Sequence, residues 1–449
     1  MKFLKHHHEQ VPHSFRKRFQ ELNKSDHKID VWNAFADSGL SGVNEDDCTI
    51  LPRLLPFDYL SVIQKTAHDL SLFALRLLSL PNNEIKAIVP SGPIRDFLIQ
   101  ELEVLRFRPE RLVGSFRFDM AIVGECSKNN PPKLLELNEI GFDGLFRSSF
   151  IQDTLLSLLP DLKKRVHVLD NAASEIQNMK RLGPQLARIQ YDSYNWEEEV
   201  LMQRGAKEKL EVSLVSPSQF KADINFKDEV ALTQRPFKIV KSKARFGEKY
   251  FPDSVQMGYS FELADYKKDM AFYQALVRSQ TPQYGPFLTG LVASKIILVL
   301  LSDATLRRKL LGSANALKET ILPSYSLAGR EAETRKNYKN CVIKHIDGLG
   351  GEMVFMDNDL LNRMKRIKGQ AATEWVVQEK TYLNTIDVNG ILSRPRKVIS
   401  DLGVFIQYDW SKDAFNHFNL GGFITRATNR AYTVNVSGGG IQVPVMFLK

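Results

Sequence analysis

Two short stretches decide the reading of this chain: Ser115-Phe116-Arg117-Phe118-Asp119 and Leu134-Leu135-Glu136-Leu137-Asn138. In an extended strand, residues two apart share a face. Arg117 and Asp119 therefore point one way, as do Glu136 and Asn138, while the apolar residues between them (Phe118, Leu137) can bury. If the two strands pair, two carboxylates, an amide oxygen and a guanidinium share one sheet face. Oxygen donors of that kind suit Mg²⁺ that is also bound to a phosphate. Read singly, Glu136 and Asn138 make a solvated strand face, and Arg117 with Asp119 a structural ion pair of little net value.

A third stretch changes the weighing. About 200 residues later comes Val342-Ile343-Lys344-His345-Ile346-Asp347-Gly348-Leu349-Gly350-Gly351-Glu352-Met353-Val354, which reads as strand, glycine loop, strand. Taken alone, Asp-Gly and Gly-Gly mark a hairpin turn. The stretch is not a Walker A loop, which needs Gly-Lys-Ser/Thr opening a helix, and it is not a dinucleotide fingerprint, because a strand follows. Glycines nevertheless leave backbone N–H groups bare for phosphate oxygens, and Lys344 adds a mobile positive charge. A metal face with a phosphate loop and a lysine suits an enzyme of nucleoside triphosphates.

The totals set the bounds. With 449 residues the chain is long enough for two or three domains. Its 43% hydrophobic and 25% charged residues are ordinary for a globular protein. No apolar run approaches a membrane span, the longest being Ile296 to Leu301. The N-terminus lacks the apolar stretch of a signal peptide, and Cys48, Cys126 and Cys341 are too widely spaced for a zinc site or a disulfide framework. A cytoplasmic, reducing compartment is expected. Net charge is +9, but the basic residues are scattered among acids, so neither nucleic acid nor a membrane is an expected partner. His6-His7-His8 reads as a mobile N-terminal segment before a metal tract.

The fold class expected is α/β (α+β). Residues 1–85 read as a helical N-terminal region, with a helix from Tyr59 to Leu80. Residues 86–164 carry the metal face, with a strand at Ile85 to Pro90 and helices at Ile94 to Leu105 and Phe150 to Leu159. Residues 165–285 alternate strand and helix as parallel-sheet domains do: strands at Arg165 to Leu169, Ala187 to Tyr191 and Leu210 to Val215, helices at Ala173 to Arg181 and Trp196 to Gly205. In residues 286–449, Ser294 to Leu311 reads as one helix and Ala328 to Lys339 as a polar connector. Trp375 to Glu379, Val398 to Tyr408 and Gly421 to Val436 read as strands. Arg235, Lys238, Lys241, Lys243 and Arg245 form a basic segment that reads first as a solvated edge strand.

Arg117-Phe118-Asp119, then Leu135-Glu136-Leu137-Asn138, then a late lysine and glycine loop resemble the ATP-grasp ligases. Because the metal strands precede the loop, the order is similar to the circularly permuted group that includes glutathionylspermidine synthetase-like enzymes. Ala293-Ser294-Lys295 resembles the segment of the family's first ATP lysine. Val342 to Gly351 resembles the second lysine and its lid loop, and Trp375 to Leu383 the adenine hinge. Ile424-Thr425-Arg426 and Val434 to Gly440 resemble the closing strand and its glycine tail. The likeness covers roughly residues 110–160 and 285–449. It departs at His345, where proline is common, and lacks the C-terminal signature of glutathionylspermidine synthetases.

The resemblance implies an ATP-grasp core in permuted order, with 165–285 as the αβ pre-ATP-grasp and substrate domain. It implies an ADP-forming carbon–nitrogen ligase that joins a small-molecule or peptide carboxylate to an amine through an acyl phosphate. ATP and one or two Mg²⁺ would be the cofactors, with Asp119, Glu136 and Asn138 on the metal. Arg117 would neutralise the γ-phosphate or the acyl phosphate. Lys295 and Lys344 would bind the α- and β-phosphates, and Gly348, Gly350 and Gly351 would close the loop against water. Gln378, Glu379 and Tyr382 would hold adenine and ribose, and Arg426 an anion. Asn435 is a weaker candidate. The alternative is a non-catalytic ATP-grasp-like scaffold or partner-binding protein.

Overall fold

Apolar residues recur at helical spacing after Tyr59, and the chain coils there into the helix Tyr59–Leu78, burying Ile63, Ala67, Leu70, Phe73, Ala74 and Leu77. The computed structural model describes residues 8–10, 16–17, 20, 52–106, 112–138, 144–189, 196–217, 234–235, 237–240, 243–246, 249–257, 274–285, 290–348, 353–367, 369–387, 397–409, 418–428 and 441–449. Helices and several sheets mix in an α+β arrangement.

The strand Leu112–Ala121 is the seam of the largest sheet. At its start it pairs in parallel with Gln283–Tyr284, beyond which lie Ser254–Met257, Gln185–Ile189 and Glu211–Pro217, each parallel to its neighbour. The later part of the seam pairs antiparallel with Lys133–Asn138, Arg117 standing opposite Asn138 and Asp119 opposite Glu136. From Val113 to Met120 it pairs antiparallel with Leu402–Asp409, which in turn pairs with Phe418–Thr428. Phe116, Phe118 and Met120 are fully buried in the main core, so the opposite face of this strand is the polar one.

A second, four-stranded sheet is antiparallel throughout and orders its strands Ser324–Ser326, Trp375–Glu379, Cys341–His345, Val354–Met356. It has a core of its own around Leu327, Ile343, Leu360, Trp375 and Val377. The strand–loop–strand reading of 342–354 holds, with Lys344 opposite Val354.

Five local expectations need correction. Residues 82–88 are a helix, Asn82–Ile88, not a strand. Ile85 and Val89, one helical turn apart, are the residues that bury, while Ala87 is exposed. The segment 294–311 is broken. Its helices are Ile296–Ser302 and Ala304–Leu311, because the Asp303 side chain accepts from the backbone N–H of Thr305 and Leu306 and starts a new helix. The 328–339 connector contains the helix Glu331–Lys336, seated by buried Thr334. The strand Val166–His167 lies outside the parallel array and pairs instead with Phe447 and Leu448. Finally, the 398–408 strand is two, Lys397–Ser400 and Leu402–Asp409, with Asp401 at the break.

Candidate functional site

The polar face of the Leu112–Ala121 strand gathers a dense ionic cluster. Arg117 donates to Asp119 through Nε (2.9 Å to Oδ1) and Nη2 (3.2 Å to Oδ2). Asn138 Nδ2 donates to Asp119 Oδ2 at 3.0 Å, and Arg426 Nη2 to the same oxygen at 2.7 Å. Asp119 itself is 1% exposed. Gly403 faces it across the sheet, and a Cβ there would sit 3.4 Å from Asp119 Oδ1 and collide with Ile424, so the lack of a side chain makes room for the carboxylate.

Behind Arg426 stands Asp401, which the sequence did not single out. Its carboxylate accepts from the Arg426 backbone N–H and from Arg426 Nε, both at 2.9 Å, and pairs with Nη2. Burial works against a charged guanidinium at Arg426, but Asp119 and Asp401 outweigh it and hold Arg426 firmly protonated. Burial raises the Asp401 carboxyl above its ordinary range, with Arg426 pulling the other way. Asp401 is anchored in turn by Arg53, whose Nη1 donates to the Asp401 carbonyl at 2.7 Å.

The two lysines arrive from the other side. Lys344 Nζ donates to the Leu135 carbonyl at 2.9 Å, across a sequence separation of 209 residues. Lys295 Nζ lies 3.5 Å from Glu136 Oε2 and donates to the Gly348 carbonyl at 2.6 Å. Each lysine is 7% exposed. Burial alone would raise the Glu136 carboxyl. Lys295, Lys344 and Arg426 outweigh that and hold it far below the usual carboxylate range. Burial lowers Lys344 to about 8, with Glu136 opposing it.

Asp119, Glu136, Asn138, Arg117, Arg426, Lys295, Lys344 and Gly348 thus come together. Gln378 joins them, its Nε2 donating to the Leu134 carbonyl at 3.3 Å. Glu379 is exposed beside it, and Tyr382 is 37% exposed, with Lys380 Nζ over its ring. Gly350, Gly351 and Asn435 lie outside the described residues. Asp401 and Arg95, whose contacts reach the turn at Asp347, escaped the sequence because no local spacing ties either to its partners.

The donor chemistry fits a hard cation. Two carboxylates stand opposite each other in register, with an amide side chain two residues along. Among the described residues no group of three or more His, Cys, Asp or Glu side chains is placed to hold a metal ion. Mg²⁺ uses one or two carboxylates plus substrate phosphates rather than a protein cage, so the set present suffices for it. Four cations (Arg117, Arg426, Lys295, Lys344) meet three carboxylates (Asp119, Glu136, Asp401). The cluster can therefore accept further anionic charge.

No protein-family model matches this sequence, and no curated protein does. Among solved structures, a glutathione synthetase-like effector from Globodera pallida, in its apo form, matches with a TM-score of 0.58 at 13% identity. The match covers 98% of each chain. The two proteins share a fold. Among the described residues no helix is long and apolar enough to cross a membrane.

Proposed function

We propose that this protein is an ATP-dependent carboxylate–amine ligase of the ATP-grasp type, ADP-forming, working through an acyl phosphate. The observation that carries the reading is the meeting of Glu136 and Asp119 with Lys295 and Lys344, two pairs far apart in sequence but joined at one buried face. The fold shared with a glutathione synthetase-like protein supports it, as does the position of the acidic strands ahead of the loop, the order that the resemblance to the permuted group implies.

Phosphoryl transfer asks a protein mainly for alignment and charge neutralisation. Lys295 and Lys344 would bind phosphate oxygens, and Arg117 and Arg426 would neutralise the transferred group or the acyl phosphate. Asp119 and Glu136, with the Asn138 amide, would hold Mg²⁺, which when bound screens the β- and γ-phosphates. Asp401 keeps Arg426 aimed and charged. Asp119, Lys295 and Lys344 are buried and Arg117, Glu136, Asn138 and Arg426 half-buried, which would limit the access of water to an acyl phosphate. Gln378, Glu379 and the segment to Tyr382 would receive adenine and ribose, and residues 165–285 would select the acid and the amine.

One observation favours a second reading, a non-catalytic nucleotide-binding scaffold: both oxygens of Asp119 are already engaged by arginines. Phosphate release from ATP, screened with amino acids, short peptides and polyamines, separates the two. Release that disappears in Glu136→Ala and Asp119→Ala, with the fold intact by circular dichroism, supports the ligase. Full turnover in either variant removes the metal assignment, and nucleotide binding without release under any acid–amine pair favours the scaffold.

A further inference from the structure

Arg95, on the helix Pro93–Arg106, is a buried cation outside the cluster described above. Its guanidinium is held from behind by two backbone carbonyls, Nε to Pro90 at 2.8 Å and Nη2 to Ser91 at 3.0 Å. In front, Nη1 donates to Asp347 Oδ2 at 2.5 Å, and Nη2 lies 3.1 Å from each Glu374 oxygen. A planar fork thus grips two carboxylates at once. Gly92 makes this possible, because a Cβ there would collide with the guanidinium.

Both acidic partners belong to the four-stranded sheet's connections. Asp347 lies in the turn after Cys341–His345, and Glu374 immediately precedes Trp375–Glu379. The Ile346 backbone joins them, its N–H donating to the Glu374 carbonyl at 2.9 Å. The Ile346 carbonyl accepts from the Lys295 backbone N–H at 2.8 Å and from Ser294 Oγ at 3.0 Å. One residue beyond Asp347, the Gly348 carbonyl holds the Lys295 ammonium, 3.5 Å from Glu136.

From this chain of contacts we infer that Arg95 is a positioning residue for the nucleotide site, setting the turn at Asp347 so that Gly348 presents Lys295 to the phosphates. The inference rests on the nucleotide-binding reading above. Arg95 touches no phosphate itself. It acts by fixing the carbonyl that orients Lys295, and by tying the second sheet to the body that carries Glu136.

The test separates position from stability. Removing Arg95 alone strands the Asp347 carboxylate, so the variant used is Arg95→Met with Asp347→Asn, which leaves no buried charge unpaired; Glu374, on a more open side chain, can hydrate. Its urea midpoint and its affinity for a non-hydrolysable ATP analogue with Mg²⁺, by calorimetry, are compared with those of the wild type. A midpoint near wild type with a dissociation constant raised about tenfold or more supports the inference. A folded double variant binding within twofold of wild type overturns it. Should the double variant fail to fold, Gly92→Ala decides, since it crowds the guanidinium out of place while removing no charge. There too a tenfold weaker analogue supports the inference, and unchanged affinity ends it. If the wild type does not bind the analogue, the nucleotide reading falls and this inference falls with it. If the wild type binds and the variants bind equally, only this inference is lost.

Discussion

Glu175, in the helix Asn171–Lys180, offers a quantitative check on the face that carries the site. It is fully buried against that face. Ser115 Oγ donates to its two oxygens at 2.9 and 2.8 Å, Tyr284 Oη at 2.6 Å and Gln407 Nε2 at 3.0 Å. Ser115 shares its face with Arg117 and Asp119, so this carboxyl pins the start of the strand on which they stand. Burial pushes Glu175 from 4.5 up to about 7, although the hydrogen bonds from Tyr284, Ser115 and Gln407 pull the other way. A raised folded-state value means that the native protein holds this proton more tightly than the unfolded chain. The stability it contributes is therefore complete below the unfolded value of about 4.5 and is lost as pH rises through about 7. A shift from 4.5 to about 7, at 1.36 kcal/mol per unit, makes the loss about 3 kcal/mol at most. Glu175→Gln is neutral at every pH and lacks this slope. Urea unfolding of both proteins from pH 4.5 to 8.5 is the assay, and the difference between their curves isolates the one group. The variant should gain on the wild type by up to about 3 kcal/mol as pH rises across that window. Parallel curves, or a gain on going to low pH, would refute the argument.

Three further outcomes follow from the same geometry. Lys344→Ala should weaken the ATP analogue by about tenfold or more, since one charged hydrogen bond is worth roughly 1.5–3 kcal/mol; equal calorimetric affinity in the variant counts against the phosphate role. Asp401→Asn takes a buried carboxylate from Arg426 and should lower stability by about 3 kcal/mol, read from urea midpoints, with wild-type midpoints marking the pair as unimportant. Gly403→Ala forces a Cβ against Ile424 and Asp119 and should cost about 1–3 kcal/mol while depressing phosphate release more than its stability loss explains. Release that follows stability alone would deny Gly403 a part in shaping the site.

Much of the site was legible because it is written in a period-two pattern. Phe116, Phe118 and Met120 bury on one face, so Arg117 and Asp119 must lie on the other, and a neighbouring strand with the same alternation completes the polar face. The hairpin around Lys344 was legible for the same reason. What stayed hidden depends on topology. Asp401 reaches Arg426 only because Leu402–Asp409 and Phe418–Thr428 pair antiparallel, and nothing in Ser400-Asp401-Leu402 announces an anchor. Arg95 finds Asp347 across 252 residues. The helix at Asn82–Ile88 was misread because Ile85, Ala87 and Val89 also satisfy a strand alternation; the capping context of Pro81 and Glu84 was the better guide.

The arrangement explains why these groups are clustered so deeply. An isolated buried charge is very costly, and exposed ion pairs add little. Here each ion faces others of opposite sign: Asp119 lies between Arg117 and Arg426, Arg426 between Asp119 and Asp401, and Glu136 beside Lys295. Asp119 and Arg426 each have more than one partner, so a change at one link is felt at the next and the cluster is held as a unit rather than as a sum of pairs. Its members come from six separate stretches of chain, around residues 117–119, 136, 295, 344, 401 and 426, and the unit exists only once the large sheet has joined its parallel and antiparallel parts along Leu112–Ala121. The same dependence makes the site a sensitive reporter of the fold: a group as far away in sequence as Arg53, which grips the Asp401 carbonyl, bears through Asp401 on the aim of Arg426.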